Sequence, residues 1–208
     1  MIKALLLILI LHLLPGCTVF HKSPSAISVY DFGLQQSQQT QNKLQPSQQQ
    51  RKSILIANAT TPLWLDNTAI HYRLLYHNPS QSYHYANSRW IAPPAALLTQ
   101  QMRDRIVSKT NDQVIKDSST AKTDYILHIE LEEFIQVFDT AKDSHVVIGL
   151  RASLIERSSR HLFAQKDFNI KEKAPTADAA GAVSALGAAS NQVTNELIGW
   201  LAIELPSY

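Results

Sequence analysis

The period of the apolar positions changes along this chain, and each change marks an element. From Tyr125 through Leu127, Ile129 and Leu131 apolar side chains fall on every second residue, the period of a strand with one buried face. The phase is lost at Glu132 and Glu133 before Phe134, which predicts a bulge inside a strand running from Thr123 to Asp139. Alternation returns over Ser144 to Glu156, with Val146, Ile148, Leu150, Ala152 and Leu154 inward against Arg151 and Ser153 outward. The polar turn RSSRH then leads into a third strand, His161 to Lys171, so this region reads as an antiparallel meander.

Two stretches carry a helical period instead. Pro93 and Pro94 open one that runs to about Lys109, with Leu98, Met102 and Ile106 four apart on one face. The other covers Ala177 to Leu205, with a seam through Val183, Leu186, Val193, Leu197, Trp200 and Glu204. Its first half, AAGAVSALGAAS, is all small residues and permits close approach of a neighbour. That neighbour is either the domain's own sheet or a second subunit meeting a face that includes Gly181, Leu186 and Gly187.

The N-terminal half reads as shorter strands. SVYDFGL (Ser28 to Leu34) and SILIANA (Ser53 to Ala59) have strand character, and Pro62 opens a brief helical turn. Ala69 to His77 and Ser82 to Trp90 flank the turn NPSQ as a hairpin, whose second strand directs Tyr83, Tyr85 and Asn87 to one side and His84, Ala86 and Ser88 to the other. Between the first two strands Gln35 to Gln50 holds nine glutamines and Leu44 as its sole apolar side chain. Such a segment buries too little to offset its ordering entropy, so a flexible insertion is expected over 35–52. The fold class that follows is α+β: a single domain over 27–208, with a mostly antiparallel mixed sheet and two main helices packed on it.

Composition agrees with one globular domain, at 45% hydrophobic and 17% charged residues. The N-terminus stands apart from it. Lys3 precedes an apolar run from Ala4 to Leu14 broken only by His12, too short to span a bilayer but suited to a secretory signal. Leu14-Pro15-Gly16-Cys17 follows, and Cys17 is the only cysteine, so it can make no intramolecular disulfide. The arrangement resembles the lipobox of bacterial lipoproteins. That resemblance implies a signal peptide over 1–16, a covalent lipid on Cys17, and a short tether over 17–26. Thr18, rather than Asp, after the cysteine implies sorting to the periplasmic face of the outer membrane. Without Lys3 the chain carries 18 basic and 17 acidic side chains, which leaves no electrostatic footprint for nucleic acid.

Signals for covalent chemistry are sparse. The glycines, at 16, 33, 149, 181, 187 and 199, frame no Gly-x-Ser-x-Gly elbow and no phosphate loop. His71, His77, His84, His128, His145 and His161 recur through the strands without helical ligand spacing or a carboxylate partner, so no metal site is expected. Glu130 and Glu132 share one face of a strand, with Glu133 at the bulge, the pattern of a solvated sheet face.

The densest segment is YHYANSRWIAPPAALLTQQMRDRI, in which a strand ends in Ser-Arg-Trp and turns through two prolines into an amphipathic helix. Trp90 is suited to plug the core at that elbow, and Arg89 to reach strand-end carbonyls or an acidic side chain. Together with IHYRLLY upstream, the run resembles the ABC-type transport auxiliary lipoprotein family through Tyr72, Arg73, Tyr85, Arg89, Trp90, Pro94, Leu97 and Leu98. The resemblance extends in order from Tyr30 to about Leu205, and the glutamine-rich insertion lies outside it. It implies a non-enzymatic lipoprotein without cofactor that partners ABC transporter components and mammalian-cell-entry domain proteins moving phospholipid between membranes. A lipoprotein that only stabilises the envelope would share the anchor and the fold. A periplasmic hydrolase would need a nucleophile, a base and an oxyanion site, and no such set is visible.

Overall fold

The computed structural model describes residues 26–33, 53–109, 113–116 and 122–205, the third of these as backbone only. In chain order the elements are β1 (Ser28–Tyr30), β2 (Ser53–Ile56), β3 (Ala69–Leu74), β4 (Ser82–Trp90), α1 (Pro94–Lys109), β5 (Gln113–Lys116), β6 (Tyr125–Phe138), β7 (Ser144–Glu156), β8 (Leu162–Lys173) and α2 (Ala179–Glu204). All eight strands belong to one mixed sheet with both helices packed on it, a single α+β domain. The signal segment, Cys17, the tether up to residue 25 and the insertion over 35–52 lie outside the described residues.

The long strand β6 organises the sheet. Along one side it pairs antiparallel with β7 from Tyr125↔Glu156 to Phe138↔Ser144, and β7 pairs antiparallel with β8. Its other side is shared. Ile54 to Ile56 of β2 run parallel to Tyr125 to Leu127, and Tyr72 to Leu74 of β3 run parallel to Gln136 to Phe138. Between them Thr60 bridges Glu130, and the Thr61 hydroxyl donates to Leu131 O at 3.0 Å. The chain therefore follows one edge of β6, leaves it at Pro62 and returns with β3. Two branches grow outward from there, β2 to β5 in parallel, and β3 antiparallel to β4 with β1 parallel beyond it.

The meander forms as its pattern requires, including the bulge, where the β6–β7 pairing slips between Leu131 and Glu133. Glu133 then sits opposite Gly149, and a Cβ at Gly149 would lie 3.5 Å from that of Glu133. Leu127, Ile129, Leu131, Phe134, Val146, Ile148, Leu150, Ala152 and Leu154 are buried in one core with Leu98, Met102 and Ile106 of α1. Burying one such aliphatic side chain contributes about 1.5–3 kcal/mol, so the regular face accounts for the order of these strands.

Several elements differ from expectation. The first strand is three residues long and β2 only four, while Pro62 does open a brief turn, with Leu65 N donating to Pro62 O at 2.9 Å and Asp66 N to Leu63 O at 3.4 Å. Strand β5 was not foreshadowed by any apolar period. In the hairpin, Ala69 pairs with Arg89 but His71 with His84, so β4 accommodates extra residues and its facing changes phase. Asn87 is consequently exposed instead of following Tyr85, and Trp90 turns inward.

Helix α2 starts where Asp178, in extended conformation, accepts from Gly181 N at 2.8 Å and from the Thr176 hydroxyl at 2.7 Å. A Cβ at Gly181 would fall 2.0 Å from Thr176 O, so this first turn requires glycine. Ala182, Ala185 and Ala189 then lie against the domain's own sheet at 0–2% exposure. The expected oligomer face is corrected accordingly. Gly181 and Leu186 are buried within this subunit, because small side chains bring α2 down onto β7 and β8, and of the three only Gly187 reaches the surface. Val183 sits half-buried at the flank of the seam, and Glu204 accepts from Trp200 Nε1 at 3.1 Å.

Candidate functional site

The residues singled out from the sequence converge on two joined structures, the β3–β4 hairpin and the elbow from β4 into α1. At the elbow Trp90 is 1% exposed and meets Phe32 (5.5 Å, 85°) and Phe134 (5.7 Å, 68°) edge to face. Its backbone N donates to Thr68 O at 2.7 Å, and Ile91 N donates to Tyr30 O at 2.7 Å, so the elbow ties β1 and the Pro62–Thr68 excursion together. Pro94 and Leu98 are buried beneath it and Leu97 is half-buried. In α1 the Thr99 hydroxyl donates to Ala95 O and accepts from Ala59 N at 3.0 Å, which binds the helix to the edge of β6. These contacts make Trp90, Pro94 and Leu98 structural.

Arg89 behaves differently. Its side chain is exposed, and among the described residues its guanidinium makes no hydrogen bond, so it does not reach back to strand-end carbonyls. Beside it His71 and His84 stand opposite each other across the hairpin. Burial, and then the charge of His84, hold the His71 imidazole below its ordinary pKa against the raising effect of its hydrogen bond to the Tyr83 backbone. Asn67 Oδ1 lies 3.2 Å from His71 Nε2, and Trp64 meets the ring edge on. A histidine held neutral between an amide and an indole is a packed side chain rather than a ligand.

The other face of the hairpin holds an aromatic stack centred on Tyr72. Tyr83 lies parallel at 5.3 Å, Tyr85 tilted at 4.7 Å, and Phe138 edge on at 5.7 Å. Tyr85 Oη donates to Gln136 Oε1, and Gln136 Nε2 donates to Ser144 Oγ at 2.8 Å, with Gln136 0% exposed. Burial first, then the neighbouring Tyr72 and Asp178, raise the Tyr85 phenol well above its usual range, so it stays a neutral donor. All three tyrosines remain half-buried, their rings reaching the surface. Arg73, next to Tyr72 in β3, has a buried Nε without a hydrogen-bond partner among the described residues.

Nothing in this arrangement brings a nucleophile, a base and an oxyanion donor together. Among the described residues no three His, Cys, Asp or Glu side chains cluster as a metal site. His77, His128 and His161 are exposed and separate, and His145 Nδ1 lies 2.7 Å from Asp139 Oδ2. Glu130 and Glu132 are exposed and Glu133 sits at the bulge, as the alternation requires. Sequence reasoning did not find Gln136 or Phe32, because each acts through a partner more than fifty residues away. No described helix is long and apolar enough to cross a membrane.

Comparison with known proteins matches residues 32–198 to the family described as the ABC-type transport auxiliary lipoprotein component. No curated protein matches the sequence. A crystal structure from Xanthomonas campestris is similar at a TM-score of 0.66 and 22% identity, covering 77% of this chain and 90% of that one. A second, described as an uncharacterized protein, gives 0.65 at 15% identity, covering 85% and 99%. A hypothetical protein from Chlamydia trachomatis gives 0.53 at 8% identity, covering 76% and 99%. At these identities the likeness is one of fold.

Proposed function

Because this chain belongs to the ABC-type transport auxiliary lipoprotein component family, we propose that it is the membrane-anchored, non-enzymatic docking subunit of an ABC transport system that moves phospholipid between the two membranes. The observation that carries this reading is the family match over 32–198, which contains the hairpin, the elbow, α1 and most of α2. The site supports it. A partly exposed tyrosine stack on one face of the hairpin, with the exposed Arg89, which makes no hydrogen bond among the described residues, on the other, has the composition of a protein-binding surface, where Tyr and Arg supply much of the affinity.

The anchor is a lipid on Cys17 after removal of residues 1–16, and Thr18 directs the protein to the periplasmic face of the outer membrane. Stable attachment takes more than one acyl chain, which a lipidated N-terminal cysteine supplies. The described domain starts at Ala26, nine residues from Cys17, so the domain stays within roughly 30 Å of its attachment point. A conduit built from a mammalian-cell-entry domain protein would meet it there.

Crosslinked affinity purification of the intact lipoprotein from its native envelope, with proteins and lipids identified by mass spectrometry, tests the reading. Recovery of a mammalian-cell-entry protein or an ABC transporter component with phospholipid is expected. Recovery of only cell-wall or unrelated outer-membrane proteins at equal depth would instead favour an envelope-stabilising lipoprotein.

A further inference from the structure

An open groove of about 570 Å³ runs between β1 and the first half of α2. Val183, Gly187 and Asn191 form its helical wall, four residues apart, so that wall is about 12 Å long at 1.5 Å per residue. Val29, Phe32 and Ile91 form the other wall, with Val29 49% and Ile91 63% exposed. The groove stays open because Gly187 has no side chain; a Cβ there would have only Phe32 O nearby, at 3.7 Å. Its volume lies within the roughly 300–1,000 Å³ of small-molecule sites, and the larger part of its lining is apolar, from Val29, Phe32, Ile91, Val183 and Ala188.

One end differs in chemistry. Asn191 Oδ1 accepts from Gln101 Nε2 and from Arg105 Nη2, both at 2.8 Å. One turn further along, Asn195 Oδ1 accepts from Arg105 Nη1 at 3.2 Å and from Lys109 Nζ at 3.0 Å. Two cations on α1 are thus held by amides in line with the apolar floor. Asp31, the carboxylate of the lining, has one oxygen engaged by Gly33 N at 2.7 Å.

We propose that this groove holds one acyl chain of an anionic phospholipid, with its phosphate over Arg105 and Lys109 at the Asn191 end. The inference rests on the phospholipid reading given above and adds where on this subunit the lipid is held. An acyl chain makes no demand for hydrogen bonds and fits an apolar floor, and a phosphate complements the paired cations. A protein helix would bring no backbone partners of its own to these walls and would leave the cations at the Asn191 end without an anion.

Full-length lipoprotein in nanodiscs, with a diazirine in one acyl chain of phosphatidylglycerol or of phosphatidylcholine, tests it by mapping adducts with mass spectrometry. Adducts are expected within residues 26–33 and 183–191, with phosphatidylglycerol favoured about threefold, the scale of one exposed ion pair. Arg105→Gln should remove that preference and keep the acyl adduct. Gly187→Leu and, at an exposed position that cannot disturb the core, Ala188→Trp should lower adduct yield about tenfold, or 1.4 kcal/mol. Adducts elsewhere, yields unchanged by both blocking variants, or crosslinks from a second copy occupying the groove would each overturn the proposal. Transporter components recovered equally with all variants while lipid adducts are missing would sink the groove and spare the docking role. Adducts without any transporter component would do the reverse.

Discussion

Replacing Tyr85 by phenylalanine removes one oxygen and leaves a buried acceptor behind. The ring contacts with Tyr72 survive the change, so what is lost is the donor to Gln136 Oε1. Gln136 is 0% exposed and its amide nitrogen is already committed to Ser144, so the side chain cannot swing out to water. An acceptor stranded in this way costs about 1–3 kcal/mol. At about 2–4 °C per kcal/mol for a protein of this size, melting should fall by several degrees. Thermal or urea unfolding reads the difference, with Tyr83→Phe as control, since that hydroxyl has no hydrogen bond among the described residues. The pH profile carries a second signature. Burial raises the folded-state pKa of Tyr85 above the unfolded value of about 10. The stability from holding that proton is complete below the unfolded pKa and is lost as pH rises through the folded one. The gap between the two proteins should therefore be constant around neutrality and shrink above about pH 10. A change within about 0.5 kcal/mol, the scatter of surface substitutions, would refute the role given to this hydrogen bond.

Three further outcomes are expected. Trp90→Ala should cost about 3–5 kcal/mol by opening a cavity between Phe32 and Phe134, so a well-folded variant by near-ultraviolet circular dichroism with unchanged melting would count against the elbow as a core plug. Asp178→Ala should cost about 0.5–2 kcal/mol at neutral pH through loss of the α2 cap. The Gly181 amide, then the Thr176 hydroxyl, hold the Asp178 carboxyl below its ordinary value, so this contribution is present above the unfolded pKa and disappears as pH falls through the folded one. Unfolding curves of the two proteins should meet in acid. Cys17→Ser should release the protein from membrane pellets and abolish labelling with radioactive palmitate; retention in the pellet would assign the anchor elsewhere.

Elements with one buried face were legible in the sequence. Strand β7 buries every expected inward residue from Val146 to Leu154 because α2 packs on that face, with Val147, Arg151 and Ser153 only half-buried on the other, and α1 starts at its proline and buries the predicted residues. The second half of β6 was harder to read, because Phe134 to Phe138 are buried on both faces and the alternation that marks facing disappears. The parallel pairings of β2 and β3 with β6 join residues more than sixty apart and leave no local trace. The site was legible to the same degree. Motif residues that fill the core near their own position were placed correctly, whereas the acceptor for Tyr85, the partners of Trp90 and the groove beside β1 depend on packing between distant segments.

The shared edge of β6 has a consequence for the order of assembly. Among the described residues strand β2 pairs with β5 and β6 alone, both of which are synthesised after it, and β3 waits for the far end of β6. A chain that emerges N-terminus first therefore presents its early strands with unpaired edges until the meander arrives. Such edges are sites of misassociation, and non-local closure of this kind is slow. The β6–β8 meander, whose pairs are local, is the part able to form unaided, and the first half of the protein then condenses onto it. Protection from hydrogen exchange during refolding should accordingly appear in 125–173 before it appears in β2, and delayed escort of the early segment would be the chief requirement for producing this protein intact.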